Sequence, residues 1–138
     1  MIVVDASVVA FLFVEGEESR TVRKLYQTDS KWVTPPILNH EMLTILAAVG
    51  SMEGDSTAVE AIWREVRGVL GTRQQIPDPV RSLRLAVELG ISGYDAQYLA
   101  LAAQLHLPLL SCERRLLDAL PGRVVNPESY LATLSATL

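Results

Sequence analysis

Short apolar runs alternate along the chain with longer segments in which apolar residues recur every three or four positions. The short runs, rich in Val and Leu, predict strands at residues 2–4, 32–34, 109–110 and 123–125, with a weak one at 74–76. The periodic segments predict helices at residues 7–13, 17–27, 35–49, 54–69, 78–89, 92–105, 113–119 and from about Pro127 onward. Strands that alternate with helices form βα units, so the sequence predicts a three-layer α/β/α fold around a short parallel sheet.

Capping residues predict where several of these helices begin and end. Thr34 is a predicted N-cap with Pro35 at the first helical position, and Gly50 is expected to end that helix. Gly90 is expected to end the helix over residues 78–89. In parallel α/β sheets, ligands bind beyond the carboxyl ends of the strands. Residues that directly follow a strand are therefore the first candidates for chemistry.

Two acidic residues follow predicted strands. Asp5 comes directly after strand 2–4, and Glu113 comes shortly after strand 109–110. Each also has an ordinary structural interpretation, because Asp is a good N-cap and an acid in the first helical turn suits the helix dipole. If the strands are parallel, both carboxylates lie at the same edge of the sheet.

Two further acids occupy unusual positions on predicted helices. Glu41 lies within an apolar stripe, three positions after Leu38 and four before Ile45, where a carboxylate is costly unless it is paired or bound to a metal. The alternatives are an edge of the stripe that reaches water, or a buried ion pair. Asp95 follows Ser92 in a capping-box arrangement. The helix after it is almost entirely apolar and must be largely buried, so Asp95 is expected at the edge of the core rather than on an open surface.

Carboxylates that converge on one point repel one another unless a cation joins them. A set of oxygen ligands without Cys or His favours Mg²⁺ or Mn²⁺ over zinc, and such a site expects a phosphate to complete it. The combination indicates in-line attack of a metal-activated water on a phosphodiester. A phosphotransferase with Asp5 as its nucleophile is disfavoured, because it needs a later catalytic lysine, and the chain has only Lys24 and Lys31.

Four motifs carry a resemblance to a known family: Val3-Val4-Asp5-Ala6-Ser7-Val8, Pro36-Ile37-Leu38-Asn39-His40-Glu41, Tyr94-Asp95-Ala96-Gln97-Tyr98-Leu99-Ala100-Leu101-Ala102 and Leu109-Leu110-Ser111-Cys112-Glu113-Arg114-Arg115-Leu116. In this order they resemble the PIN-domain family, and most closely the VapC-like toxins of prokaryotic toxin–antitoxin pairs. The resemblance runs from residue 2 to about residue 126. It implies a Mg²⁺- or Mn²⁺-dependent endoribonuclease that is often a homodimer. It also implies a cognate antitoxin that blocks the site and joins the toxin on operator DNA.

The resemblance also assigns roles to individual residues. By the matching motifs, Asp5, Glu41 and Asp95 are the expected catalytic residues and metal ligands. The positions of supporting hydroxyl groups match Ser7 and Ser111.

Glu113 departs from the family pattern, which usually has Asp at this position, although we expect it to be the fourth catalytic and metal-binding acid. Its carboxylate stands on a stem that is one methylene longer. A misplacement of about 1 Å can cost on the order of a hundredfold in rate. The alternative function is therefore a catalytically weakened PIN-like domain that acts as a binding or regulatory module.

Length and composition set broader limits. The 138 residues fit one domain over residues 1–138, and nearly half of them are apolar. Cys112 is the only cysteine, so an internal disulfide is impossible and a reducing cytoplasm is the expected location. No apolar run is long enough for a membrane helix, and the first residues do not resemble a signal peptide.

The net charge of −4 counts against nucleic-acid binding, because phosphate contacts depend on Lys and Arg. However, acids clustered at a metal site inflate the negative total. In addition, ten of the twelve basic residues are arginines, which form forked contacts with phosphate. Arg114 and Arg115, beside Glu113, are predicted to lie nearest to bound RNA.

The predicted helices at 7–13, 35–49 and 54–69 carry more apolar residues than one short domain needs to bury. The first of them has an almost continuous apolar run of Val8, Val9, Phe11, Leu12 and Phe13. We expect part of this surface to contact a second copy of the chain or an antitoxin helix.

Overall fold

Four short parallel strands lie at the centre of the computed structural model, which describes residues 1–136. The strands are β1 (Ile2–Val4), β2 (Trp32–Val33), β3 (Leu109–Leu110) and β4 (Val124–Val125), in the spatial order β2-β1-β3-β4. The helices are α1 (Ala6–Phe13), α2 (Ser19–Thr28), α3 (Ile37–Glu53), α4 (Thr57–Leu70), α5 (Pro79–Leu89), α6 (Gly93–Leu105), α7 (Arg114–Ala119) and α8 (Pro127–Ala136).

The alternation of side chains along β1 divides the core into two parts. Ile2 and Val4 pack on one face of the sheet with buried residues of α1, α2, α3 and α4. Val3 packs on the opposite face with residues of α6 and α7, against which α5 adds Leu85 and Leu89. Successive residues of a strand point to opposite faces, so an all-apolar β1 requires helices on both sides. The predicted three-layer α/β/α fold with a short parallel sheet is confirmed.

The register of the strands brings several chain segments to one edge of the sheet. Val4 of β1 lies beside Leu110 of β3, and the N–H of Asp5 donates to the carbonyl oxygen of Leu110 at 3.1 Å. One strand further, the N–H of Ser111 donates to the carbonyl oxygen of Val125 at 3.0 Å. The residues that follow β1 and β3 therefore leave the sheet side by side.

The prediction that Gly50 ends the third helix is wrong, because α3 continues to Glu53. Its C-cap is Gly54, which has a φ of 70° that an L side chain rarely adopts. Gly50 has another role, because a Cβ at this position would lie 2.9 Å from Cγ2 of Val59. A glycine there lets α4 pack closely against α3.

The weak strand predicted at residues 74–76 is also wrong. Only an isolated bridge joins Thr34 to Gln74, and no strand forms there. Thr34 does not cap α3 as predicted, since that helix begins at Ile37 and the buried Thr34 hydroxyl has no hydrogen-bond partner within residues 1–136. The chain turns through Pro35 and Pro36 before the helix begins.

Two other helices begin later than predicted, because local turns precede them. Helix α2 begins at Ser19 rather than residue 17, after a turn in which the N–H of Gly16 donates to the Ser19 hydroxyl at 2.9 Å. Helix α4 begins at Thr57 rather than residue 54, where Asp55 accepts a hydrogen bond from the Thr57 N–H at 3.0 Å.

The apolar run of α1 is largely used inside the molecule. Val8 and Val9 are fully buried, and Phe11, Leu12 and Phe13 pack against the same core, so the predicted partner surface is wrong for Val8 and Val9. Large apolar side chains are exposed on α3, at Leu43 and Met52, and on and just before α5, at Ile76, Val80, Leu83 and Val87. Within residues 1–136, no helix is both long and apolar enough to cross a bilayer.

Candidate active site at the carboxyl edge of the sheet

Asp5 lies at the junction between β1 and α1, and its side chain is buried. Its Oδ1 atom accepts hydrogen bonds from the Ser7 N–H at 3.0 Å, the Ser7 hydroxyl at 2.5 Å and the Val8 N–H at 3.3 Å. The structural interpretation of Asp5 as an N-cap is therefore correct. All three of these bonds go to the same oxygen.

The two serines predicted to support the site link the ends of β1 and β3. The Ser7 hydroxyl accepts a hydrogen bond from the Cys112 N–H at 2.8 Å and lies 3.4 Å from the Ser111 hydroxyl. Ser111 is fully buried, and its hydroxyl accepts a hydrogen bond from the Glu113 N–H at 3.0 Å. These contacts hold the segment that carries Glu113 beside Asp5.

Asp95 and Glu113 share one positive partner. The Nη2 atom of Arg115 donates to Oδ2 of Asp95 at 3.2 Å and to Oε1 of Glu113 at 2.9 Å. Ser92 caps α6 by accepting a hydrogen bond from the Asp95 N–H at 3.0 Å, which confirms the predicted cap. The side chain of Glu113 makes no capping hydrogen bond to α7, although the residue stands at its N-cap position. Its carboxylate is therefore directed at Arg115 rather than at the helix end.

Glu41 is held by a residue that the sequence did not single out. Its Oε1 atom accepts a hydrogen bond from the hydroxyl of Tyr98 at 2.7 Å. Tyr98 is almost fully buried on α6, one turn after Asp95. A buried tyrosine hydroxyl needs a partner, so Tyr98 in an otherwise apolar helix was the available signal for this contact. The contact ties α3 to α6 at the point where both carry acids.

Besides burial, the negative charges of Glu113 and Asp95 contribute to the raised pKa values of Asp5 and Glu41. Burial raises the pKa of Asp5 to about 6, against the opposing effect of the Ser111 and Ser7 hydroxyls, and the negative charge of Glu113 adds to the increase. The pKa of Glu41 is also raised, first by burial and then by the charges of Asp95 and Glu113, although the Tyr98 hydroxyl lowers it. Burial raises the pKa of Tyr98, and the charges of Glu41, Asp5 and Asp95 raise it further.

The donor set suits a hard divalent cation, because it consists of carboxylate oxygens without Cys or His. The acids are coupled, and the Arg115 guanidinium already occupies a cation position between two of them. As arranged, however, no three acidic, His or Cys side chains within residues 1–136 stand close enough together to hold an ion. The residues fit such a cation by their chemistry, but the side chains must move together before they can hold it.

The remaining predicted residues lie on either side of the acids. A groove of about 600 Å³ opens beside Glu41 and is lined by Ile37, His40 and the exposed Tyr94. Arg115 reaches the acids directly. Arg114 lines a separate cavity of about 240 Å³ with Glu18, Asp118 and Glu128. The two adjacent arginines therefore face different surroundings.

The fold and the acid-lined edge of its sheet identify the class of protein. The family model for the PIN domain matches residues 2–121, and the chain belongs to the PIN domain family. The family predicted from the four sequence motifs is confirmed.

Individual relatives can then be named. The chain is 28% identical over 130 residues to Ribonuclease VapC3 of Pyrobaculum aerophilum, a match that covers 89% of this chain and 97% of the relative. The solved structure of PAE2754 from Pyrobaculum aerophilum has a TM-score of 0.74 and 24% identity, and the match covers 98% of this chain and 96% of that one.

Two other solved structures share the fold at lower identity. One is a toxin–antitoxin complex from Klebsiella pneumoniae, with a TM-score of 0.65, 19% identity and coverage of 92% of this chain and 98% of that one. The other is FitAcB from Neisseria gonorrhoeae, with a TM-score of 0.68, 16% identity and coverage of 93% and 99%. At these identities the likeness establishes the fold alone.

Proposed function

We propose that this protein is a metal-dependent endoribonuclease that hydrolyses RNA phosphodiester bonds as the toxin of a toxin–antitoxin pair. The observation that carries the proposal is the approach of four acids from separate segments of the chain: Arg115 bridges Asp95 and Glu113, and the charges of these two acids act on Asp5 or Glu41. Like charges held close together repel one another, and a bound cation relieves that repulsion. The likeness to Ribonuclease VapC3 supports RNA as the substrate.

The residues of such a site would have three different roles: binding the metal, positioning its ligands and attracting the RNA backbone. Asp5, Glu41, Asp95 and Glu113 would hold Mg²⁺ or Mn²⁺, which supplies charge stabilisation to the phosphodiester and makes water a stronger nucleophile. Ser7 and Ser111 fix the positions of Asp5 and Glu113 through their hydroxyl groups. Exposed arginines near the acids attract the phosphate backbone, which offsets the negative net charge locally.

Metal removal tests this function directly. We expect the purified protein to cleave RNA with Mn²⁺ or Mg²⁺ present, and the rate to fall more than about a hundredfold in excess chelator, because the acids alone cannot stabilise the phosphodiester's charge. Gel analysis of a defined RNA measures the cleavage. Titration calorimetry with Mn²⁺, comparing the wild type with Asp5→Asn, measures the metal site independently.

The alternative function is a catalytically weakened PIN-like domain that binds RNA or regulates a partner. The engagement of Glu113 with Arg115 favours this alternative, because a guanidinium rather than a metal ion then neutralises that acid. The two measurements separate the functions. Mn²⁺ binding that depends on Asp5 without any cleavage of RNA would favour the binding module, whereas cleavage that survives chelation would contradict the proposed nuclease.

The proposed partners follow from the same class of protein. A cognate antitoxin is supported by the fold likeness to a chain from a toxin–antitoxin complex. We infer that operator DNA is contacted only through this antitoxin, since the chain carries a net charge of −4. A cytoplasmic location suits an RNA substrate and a chain whose only cysteine is Cys112.

A homodimer is supported by an exposed apolar stripe on α5. Val80, Leu83 and Val87 recur at helical spacing and are 61%, 67% and 76% exposed. Leu83 also lines an apolar groove of about 560 Å³ next to this stripe. Arg84 and Glu88 lie on one flank of this stripe, and neither forms an ion pair within residues 1–136. When two identical helices pair in antiparallel directions about a twofold axis, the two stripes cover each other.

A charge in the α5 stripe should therefore separate the two copies. We expect Leu83→Arg to convert a dimer at micromolar concentration into a monomer, because the substitution buries a charge at the centre of the paired stripes. Sedimentation equilibrium measures the mass. Met52→Arg is the matched control, since Met52 is 89% exposed on α3 and lies away from the stripe. A wild-type protein that is monomeric under these conditions would contradict the homodimer.

A further inference from the structure

Arg115 holds a position in the site that no other basic residue shares. Of the ion pairs formed within residues 1–136, only those of Arg115 involve any of the four site acids. A single nitrogen, Nη2, contacts both Asp95 and Glu113. Glu41 has no cationic partner in the same part of the chain, and its one hydrogen bond comes from Tyr98. The guanidinium therefore neutralises two acids of the site and leaves the others uncompensated.

The environment of Arg115 lets its side chain leave without disturbing the fold. The Arg115 side chain is 66% exposed, whereas the Asp95 side chain that it contacts is only 12% exposed. The exposed partner of such a pair is the one that can move, because a long solvated side chain has many rotamers open to it. The Nη1 and Nε atoms of Arg115 make no hydrogen bonds within residues 1–136, so only Nη2 anchors the guanidinium.

We propose that Arg115 is an internal competitor of the divalent cation, which occupies Asp95 and Glu113 in the metal-free protein and must leave them before the metal binds. This inference rests on the proposed metal-dependent function. It assigns a regulatory role to one side chain of the same site, since the affinity for metal is then set partly by the strength of an ion pair within the chain. Arg115 is a positioning residue for the two acids when no metal is present.

The ion pair with Arg115 also explains where the Glu113 carboxylate lies. With Asp at this position, the carboxylate would stand roughly 1.5 Å closer to the backbone, the length of one C–C bond. The longer glutamate stem reaches the Arg115 nitrogen at 2.9 Å while the Glu113 N–H remains bonded to Ser111. In this chain the Glu113 carboxylate is therefore engaged by the internal ion pair in the absence of metal.

Mn²⁺ binding to Arg115→Gln tests the competition. We expect calorimetry to give an affinity about tenfold tighter than that of the wild type, because the metal no longer displaces a guanidinium. Arg114→Gln is the matched control, since it removes the same charge one residue away while Arg114 lines a different cavity. Its affinity for Mn²⁺ should stay near that of the wild type. In chelator, the melting temperature of Arg115→Gln should fall, because Asp95 and Glu113 then lack a counter-ion.

Two results would overturn the proposal in distinguishable ways. If Mn²⁺ binds wild type and Arg115→Gln equally, or binds the variant more weakly, competition is excluded while Asp5-dependent binding leaves the nuclease proposal standing. If no variant binds Mn²⁺ in an Asp5-dependent manner, both the competition and the metal-dependent function fail. Arg115→Lys serves as a second variant should Arg115→Gln be unstable, and its affinity should lie between those of wild type and Arg115→Gln.

Discussion

Asp95→Asn is expected to lower RNA cleavage by more than the roughly 10–100-fold that is typical of losing a residue which only supports a metal ligand. Asp95 is the site acid at the start of the largely buried helix α6. Because the surrounding side chains are fixed by packing, a neighbouring carboxylate has little freedom to move into its place. The amide of asparagine keeps the size of the side chain but removes its charge. The initial rate of cleavage of a defined RNA at saturating Mn²⁺ measures the effect.

Asp78→Asn provides the control for this comparison. Asp78 caps α5 by accepting a hydrogen bond from the Val80 N–H at 3.0 Å, and asparagine caps a helix equally well. This variant carries the same change of charge at the start of another helix and should cleave RNA at the wild-type rate. If Asp95→Asn retained more than a tenth of the activity while Asp78→Asn was normal, Asp95 could not be a metal ligand of the reaction.

Strand position was sufficient to predict that the segments carrying Asp5 and Glu113 would leave the sheet side by side. Both follow strands of a parallel sheet, and the carboxyl ends of such strands share one edge. The contacts through Ser7 and Ser111 then arise from backbone geometry close to those strands. Local sequence therefore carried the information for this half of the site, together with the βα pattern that predicted the three layers.

The contacts of Glu41 and Arg115 could not be predicted in the same way. Glu41 meets Tyr98 across 57 positions of sequence, and Arg115 meets Asp95 across 20. Such contacts depend on how α3, α6 and α7 pack, which short-range periodicity does not encode. The error at Gly50 has a similar origin, because the glycine that admits α4 and the glycine that ends α3 differ only in tertiary context.

In metal-free protein, Asp5→Asn is expected to gain stability relative to the wild type as the pH rises from below about 4 to above about 6. The free energy of unfolding of the variant minus that of the wild type should increase by about 3 kcal/mol over this range. Burial raises the pKa of Asp5 from 3.8 to about 6, so the folded state binds a proton more readily than the unfolded state between these values. The wild type therefore loses stability as pH rises through this window. Asparagine does not titrate and escapes this loss.

Urea unfolding of both proteins in chelator, at pH 3.5, 5 and 7, measures this difference, and the contributions of carboxylates far from Asp5 cancel between the two proteins. Adding Mn²⁺ at pH 7 should reverse the order, because the ion stabilises the folded wild type by mass action and binds Asp5→Asn weakly. The buried Asp5 carboxylate would then lower the stability of the metal-free fold, and the bound ion would restore that stability. A pH-independent difference between the two proteins would contradict the burial of an ionisable Asp5 as the source of that instability.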